Sequence, residues 1–575
     1  MTAAAFLKKD SRAAAVLLNI AGLAAVLFMI LKAPYGFGTA DECYYLITPM
    51  RLVQGDALLV DEWFIAQLFG AVSFPVLKLY MLIAKSSAGI ILAFRYIYIA
   101  IKSLSAIYVY RRLRKISDMI PSFMAALLFL VYTPFDIMGL SYNTIGIISI
   151  TMACAAFSSL KEKERITPAA AGFLYALSVI CCPYLAVLYV LYLIAVFTAG
   201  RARALRGLVQ LRISTWVKVS AGIALAAALF AVLVLTRGSV SQIRQTLPFI
   251  LDNPTHQSLS LTGSLRLYAE TVIIWDKKRL IIIALTAVIF LLSLIIKKMQ
   301  KLKALLFFFT AILTLLYVFL PGYPHDMANH FILPVNLTGL VCFALCEKKK
   351  TSLFIWMWIP GIIYSFALFL SSNQGFYAVS SATMASALCS VIFILDFARE
   401  LTEESRSGAL RCAALVLSSA IILLQLAAVC VSVYEHCFWD GNRSTLSVKI
   451  DRGCEKGLIT SPSFADTYYS LWDETEELRE AEDGRSLYVV TEKLWLLLDD
   501  EKPEGSCFSY IEGDDAYRAD NLKAYFEMKP ENRPSYIFID SGCDRSIYAG
   551  RLGFDESLFI TGALGDHMAF GVKYR

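Results

Sequence analysis

The chain has 575 residues, 58% hydrophobic and 17% charged, with a mean hydropathy of +0.60, against about 25% charged residues in a typical soluble domain. That composition excludes a soluble enzyme. The net charge of +6 is a sum of opposites: residues 435–575 carry 16 Lys and Arg against 28 Asp and Glu, whereas residues 1–434 carry 37 against 19. A basic, apolar region is followed by an acidic, water-compatible one, so the overall charge is no argument for nucleic-acid binding.

In chain order, thirteen apolar stretches match the roughly 17–25 residues that cross a hydrocarbon core of ~30 Å. They lie near 12–32, 88–110, 119–134, 143–160, 166–181, 183–199, 215–236, 279–297, 304–321, 331–346, 352–370, 376–396 and 411–434. The fifth and sixth meet at Cys181-Cys182-Pro183, where the proline predicts a tight turn. The basic loops (Lys8-Lys9, RRLRK at 111–115, KEKER at 161–165, RARALR at 201–206, KKMQKLK at 297–303, Lys348 to Lys350, and Arg399 to Arg411) all fall on one side of this arrangement. The positive-inside rule makes that side cytoplasmic. The reading is an integral membrane protein, of the plasma membrane, with a cytoplasmic N-terminus, an uncleaved first span and residues 435–575 outside.

The fold class expected is therefore a polytopic α-helical membrane protein of about thirteen helices, residues 1–434, followed by an extracytoplasmic α/β domain, residues 435–575. Runs such as SLYVV at 486–490 and SYIFID at 535–540 are its predicted strands, and 470–482 a helix with a solvated acidic face. Four cysteines, Cys437, Cys454, Cys507 and Cys543, fall in that domain, an even number that permits three disulfide pairings. The long first outer loop, residues 33–87, is where a site could be assembled, and it ends in a Pro-containing amphipathic stretch, WFIAQLFGAVSFPVLKLY.

Five acids stand in that loop: Asp41, Glu42, Asp56, Asp61 and Glu62. An adjacent acid pair just beyond a span is costly unless it faces water, a cation or a partner, so Asp41-Glu42 is a functional candidate. Interfacial solvation is the plainer alternative.

The stretch GTADECYYLITPMRLVQGD resembles the first extracytoplasmic loop of the GT-C glycosyltransferases, in which an acid pair followed by aromatics, D-E-x-Y-Y, comes just after the first membrane helix. Protein O-mannosyltransferases and lipid A aminoarabinose transferases belong to that group. The resemblance implies inverting transfer of a sugar from a polyprenyl-phosphate donor to an acceptor hydroxyl on the outer face, with the loop aspartate, here Asp41, as general base. Glu42 would orient it or bind the acceptor, and Tyr44, Tyr45 and Asp61 would contact substrate. Asp136 in the second outer loop is the match for a second acid, an acceptor or metal contact or alternatively a helix cap, with Tyr142 and Asn143 beginning the next span. Cys43 departs from the small residue common in the motif.

A departing phosphate needs positive charge. Arg95, inside the second span, is expected to contact an acid or the donor phosphate. Lys277, Lys278 and Arg279 bind either lipid headgroups or that phosphate. His325 and Asp326, in PGYPHDMANHF, are polar lining of a sugar cavity, with metal binding the lesser alternative; no catalytic-metal spacing surrounds them. A divalent cation is left open as cofactor. The partners expected are a polyprenyl-phosphate-linked sugar, membrane lipid and a glycan, lipid or protein acceptor. A secondary transporter or lipid flippase is the rival class, but it predicts internal symmetry and acids at span centres.

Overall fold

In the computed structural model, residues 12–38, 40–198, 208–252, 260–275, 277–295, 300–320, 327–371, 380–405, 407–438, 440–481, 487–499, 505–510, 513–534, 536–540, 542–553, 560–564 and 567–571 are described. Among them, nine helices are long and apolar enough to cross a membrane, and four shorter apolar ones accompany them, Tyr142–Ser158, Thr167–Cys181, Pro183–Thr198 and Ile332–Leu345. The chain is an integral membrane protein by this measure. One of the nine, Gln67–Ala84, falls where the sequence suggested an amphipathic end to the first loop. Its polar residues are spread around the helix and Pro75 interrupts it, so no face is polar enough to set it apart.

Helix α1 (Arg12–Lys32) leads into a short loop and then α2 (Asp41–Gln54), which carries the acid pair in its first turn. Next come α3 (Gly70–Ala84), α4 (Ile90–Leu113), α5 (Met119–Val131) and α6 (Tyr142–Ser158). A capping box between Ser141 and Thr144 fixes the start of α6 by satisfying backbone groups the helix itself cannot. Helices α7 (Thr167–Cys181), α8 (Ala186–Thr198) and α9 (Ile213–Leu235) follow. At the crossing of α7 and α9 a Cβ on Gly172 would stand 2.1 Å from the Val219 carbonyl, and one on Gly222 1.9 Å from that of Ala169. Small residues are what let two membrane helices approach so closely.

The remaining helices of this region are α10 (Val240–Leu251), α11 (Leu261–Trp275), α12 (Lys277–Ile295), α13 (Gln300–Phe319), α14 (Met327–Leu345), α15 (Ile359–Ser371), α16 (Met384–Glu404) and α17 (Gly408–Glu435). Beyond α17 the chain forms α18 (Pro462–Ala481) and α19 (Trp495–Asp499), which pack into the main core, and α20 (Asp515–Met528) and α21 (Arg545–Leu552), which pack on a four-stranded sheet. Its strands β1 (Leu487–Val490), β2 (Tyr536–Ile539), β3 (Ile560–Leu564) and β4 (His567–Gly571) are ordered β1-β2-β4-β3. The two predicted runs are the parallel pair, with Leu487 opposite Tyr536 and Val490 opposite Ile539.

Packing crosses the compositional boundary at 434/435. Trp63 of the first loop is buried in the core of the sheet layer, stacked on Phe249 at 4.7 Å and edge-on to Tyr525 at 5.8 Å. Conversely, Leu494 to Leu498 insert into the main core. The four cysteines beyond residue 434 are free thiols. Cys437 lies against Gly36, Cys454 hydrogen-bonds the Trp495 carbonyl at 3.7 Å, and Cys507 packs in the sheet core with Cys543 at its edge.

Candidate functional site

Adjacent residues on a helix point about 100° apart, and the first turn of α2 uses this to send its two acids in different directions. Glu42 turns into the protein. Its carboxylate meets the guanidinium of Arg95 at two points, Nε to Oε1 at 2.6 Å and Nη2 to Oε2 at 2.7 Å, and accepts from the Gly38 amide at 3.2 Å. Arg95 also donates to the carbonyls of Ala33 at 2.6 Å, Gly36 at 2.8 Å and Tyr35 at 3.4 Å, which uses every donor it has. Gly36 has φ +78° and its missing Cβ would strike Cys437, so only glycine lets the loop fold this tightly over Arg95.

Two cations sit against the Phe438 ring, Arg95 Cζ 3.5 Å and Lys32 Nζ 3.7 Å from its centroid. Lys32 in turn holds both oxygens of Asp136 at 3.1 Å, and Asp136 accepts from the Phe438 amide at 3.3 Å. The cation partnering Asp136 is thus a lysine from the end of α1.

The other three loop acids serve the junction with the C-terminal segment. Arg51, on α2, binds Asp56 at 2.7 Å and Glu62 at 3.2 Å and donates to the carbonyls of Asp61 at 2.6 Å and Ser506 at 2.5 Å. Glu62 accepts from the Ser509 amide at 3.2 Å and from its hydroxyl. Asp61 accepts from Tyr525 at 3.0 Å, from the Ala57 amide at 2.8 Å and from Lys529. Burial pushes the Asp56 and Glu62 carboxyls up in pKa, and Arg51 opposes that shift in both. Asp61, expected to contact substrate, is placed in this junction.

Of the six acids in the first two outer loops, five hold a cation among the described residues: Glu42 with Arg95, Asp56 and Glu62 with Arg51, Asp61 with Lys529, and Asp136 with Lys32. Asp41 is the sixth and holds none. Burial raises its pKa above the usual carboxylate range, opposed by a hydrogen bond from the Tyr510 hydroxyl. The phenols of Tyr45 and Tyr142 stand close to the same carboxylate. Tyr45 and Tyr142 pack edge to face at 5.9 Å, and Asn143 follows Tyr142 in the first turn of α6. Tyr44, one turn on from Asp41, packs on Tyr45 at 5.3 Å and edge-on to Phe64 at 4.8 Å and to Tyr510 at 5.3 Å. Cys182, at the turn between α7 and α8, touches the Tyr142 carbonyl and the Tyr364 hydroxyl at 3.6 Å each, which brings α15 to this wall.

Lys277 and Lys278 are exposed at the start of α12. Arg279 is buried and donates to the Leu320 carbonyl at 2.7 Å, tying α12 to the end of α13. None of the three bonds the Asp41 group. His325 and Asp326 lie outside the described residues. Sequence reasoning missed Arg51, Lys32, Phe438 and Tyr510; Lys32 was legible as a charge ending the first span, whereas Tyr510 left no local signal.

Among the described residues no group of three His, Cys, Asp or Glu side chains that could hold a metal ion gathers around Asp41. Glu347, Glu400 and Glu404 do bring carboxylate oxygens within 4.8 Å of one another. They lie near the start of α17, whose other end adjoins Phe438, and 28 residues of helix measure about 42 Å. An apolar cavity of about 420 Å³ opens between α6, α7, α8, α9 and α15, lined by residues such as Ile150, Phe157, Tyr192, Val219 and Ile363.

No known protein family matches the chain, and no curated protein matches it. Among solved structures it is similar to oligosaccharyltransferases of the archaeon Archaeoglobus fulgidus. One, tethered to an acceptor peptide, is 12% identical with a TM-score of 0.48, over 90% of this chain and 69% of that one. Another, with an inhibitory peptide and a dolichol-phosphate, is 12% identical with a TM-score of 0.46, over 96% and 74%. A third, with Zn and sulfate, is 13% identical with a TM-score of 0.47, over 94% and 70%.

Proposed function

We propose that the chain is an integral membrane glycosyltransferase that moves a sugar from a polyprenyl-phosphate donor to an acceptor hydroxyl on the outer face of the membrane, with Asp41 as general base. The observation that carries the reading is the pairing of every other acid in the first two outer loops, which leaves Asp41 as the carboxylate able to accept a proton. In the proposed step the acceptor oxygen attacks the anomeric carbon, the bond from that carbon to the phosphate oxygen breaks with its electron pair on the phosphate, and the hydroxyl proton passes to Asp41. One displacement inverts the anomeric centre; a retaining route would need a second carboxylate about 5 Å away, and Glu42 is committed to Arg95.

The other residues take roles by placement. Arg95 fixes Glu42 and the loop over it, and so orients the start of α2. Asp136 and Lys32 fasten the end of α1 to the end of α17. Tyr44, Tyr45, Tyr142 and Asn143 line the approach, and Lys277 and Lys278 meet lipid headgroups. A lipid-borne donor suits the helices involved, since α6 and α15 carry Tyr142 and Tyr364 near the site and line the apolar cavity farther along. A transporter would need charges free to change partners, whereas Glu42, Arg95, Lys32 and Asp136 are mutually satisfied.

The test is to incubate purified protein with a panel of polyprenyl-phosphate sugars and follow donor consumption. Turnover of one donor, abolished in Asp41→Asn with donor binding retained, is expected. No consumption of any donor together with ion-coupled or lipid transport in vesicles would overturn the reading.

A further inference from the structure

The segment 505–510 belongs to the region after α17, yet it is stitched into the first loop on both sides of its length. Arg51 holds the Ser506 carbonyl at 2.5 Å, the Trp63 amide donates to the Cys507 carbonyl at 2.7 Å, and the Ser509 amide donates to Glu62 at 3.2 Å. A local turn, Phe508 amide to Ser506 hydroxyl at 3.0 Å, stiffens it. Tyr510 comes next. Its ring packs on Phe64 at 5.2 Å and on Tyr44 at 5.3 Å, the residue one turn on from Asp41 on the same face of α2, and its hydroxyl lies near enough to the Asp41 carboxylate to oppose the rise in its pKa.

We infer that Tyr510 is a positioning residue for the base: the C-terminal segment completes the site by delivering this phenol, which holds one face of the Asp41 carboxylate and leaves the other for the acceptor hydroxyl. The inference rests on the reading of Asp41 as base. A carboxylate can accept about four hydrogen bonds through two oxygens, so one donor orients the group without saturating it. A donor to the charged form also favours that form, and the groups facing Asp41 offer little else that does so. Among the described residues they are the phenols of Tyr45, Tyr142 and Tyr510, and the neighbouring Glu42, whose charge Arg95 balances. Without Tyr510 the carboxyl would stay protonated to higher pH, and the base would be lost over part of the working range.

Tyr510→Phe keeps the ring and removes the hydroxyl, so packing on Tyr44 and Phe64 survives. Two readouts are taken on the full-length protein across pH: the rate of donor consumption, and the extent of carbodiimide modification at Asp41 followed by mass spectrometry. The expected result is an acid limb moved to higher pH, with a rate loss of at least tenfold below the limb and recovery to within a few-fold at high pH. The Asp41 modification curve should move the same way. A Tyr510→Phe rate profile and modification curve that superimpose on wild type would overturn the inference, and so would a uniform loss at all pH with no movement of either curve. If instead Asp41→Asn turns over normally, the base assignment fails, while a shifted modification curve would still register the Tyr510 contact.

Discussion

Arg95 and Glu42 are 53 residues apart in sequence and meet in a two-point contact enclosed by the protein, with Arg95 completely buried. The guanidinium fork matches the carboxylate plane, and the Phe438 ring covers it. The pair fixes the direction in which α2 leaves the loop, and with it the position of Asp41 one residue earlier.

Removing one partner strands a buried charge, which costs about 3–5 kcal/mol. Arg95→Ala should therefore lower the Tm of the detergent-purified protein sharply. Arg95→Lys keeps the charge without the fork and should fall between. A Tm for Arg95→Ala within a degree of wild type would show the pair to be dispensable.

Asp41→Asn should cut turnover by about 10²–10⁴-fold, or ~3–5 kcal/mol in barrier, with donor binding retained. Its Tm should stay level or rise at neutral pH. The sign follows from the raised pKa: the folded state holds its proton to higher pH than the unfolded chain, so ionised Asp41 detracts from stability above the ordinary carboxylate range near 4. For the same reason wild-type activity should fall on its acid side at a pH above that range. Glu42→Gln should leave that limb where it is.

The junction between the first loop and the sheet layer should be open to separate attack. Trp63→Ala removes a fully enclosed aromatic at a cost of about 3–5 kcal/mol and should expose residues 440–575 to limited proteolysis. Asp61→Asn weakens the bonds to Tyr525 and Lys529 and should have the same effect in milder form. Protease resistance equal to wild type in both would mean that the layer is held by other contacts.

Lys102, on α4, is fully buried with its Nζ 3.9 Å from the Phe129 ring and no hydrogen-bond partner among the described residues. An unsatisfied buried polar group costs about 1–3 kcal/mol, so Lys102→Met, similar in length and apolar, should raise Tm. A lower Tm, or loss of turnover in a stable Lys102→Met protein, would assign the lysine a role that packing does not reveal.

Sidedness can be read with thiol reagents in sealed cells. In a background of Cys412→Ser, a cysteine at Asp466 should react with an impermeant reagent from outside, and one at Lys163 should not. Reversed labelling at either position would overturn the orientation argued from the basic loops.

The membrane-spanning character was legible because hydropathy over some twenty residues is a local property, and helix length follows from it. The acid pair at the head of α2 was legible too, as were the two strand runs, though not that they pair in parallel. What the string could not rank was its acids. Asp56, Glu62, Asp61 and Asp136 look like Asp41 on paper, yet their cations lie 5, 11, 468 and 104 residues away.

Charge pairing depends on distance in space and on the water excluded between partners, neither of which is written in sequence order. The amino-acid sequence by itself therefore determined that this is an apolar, helical membrane protein with acids gathered beyond its first span. Only the tertiary structure decided which acid of the first two outer loops holds no cation among the described residues, because α4, α1 and the C-terminal segment had to fold against α2 before Arg95, Lys32, Lys529 and Tyr510 could reach the carboxylates they serve.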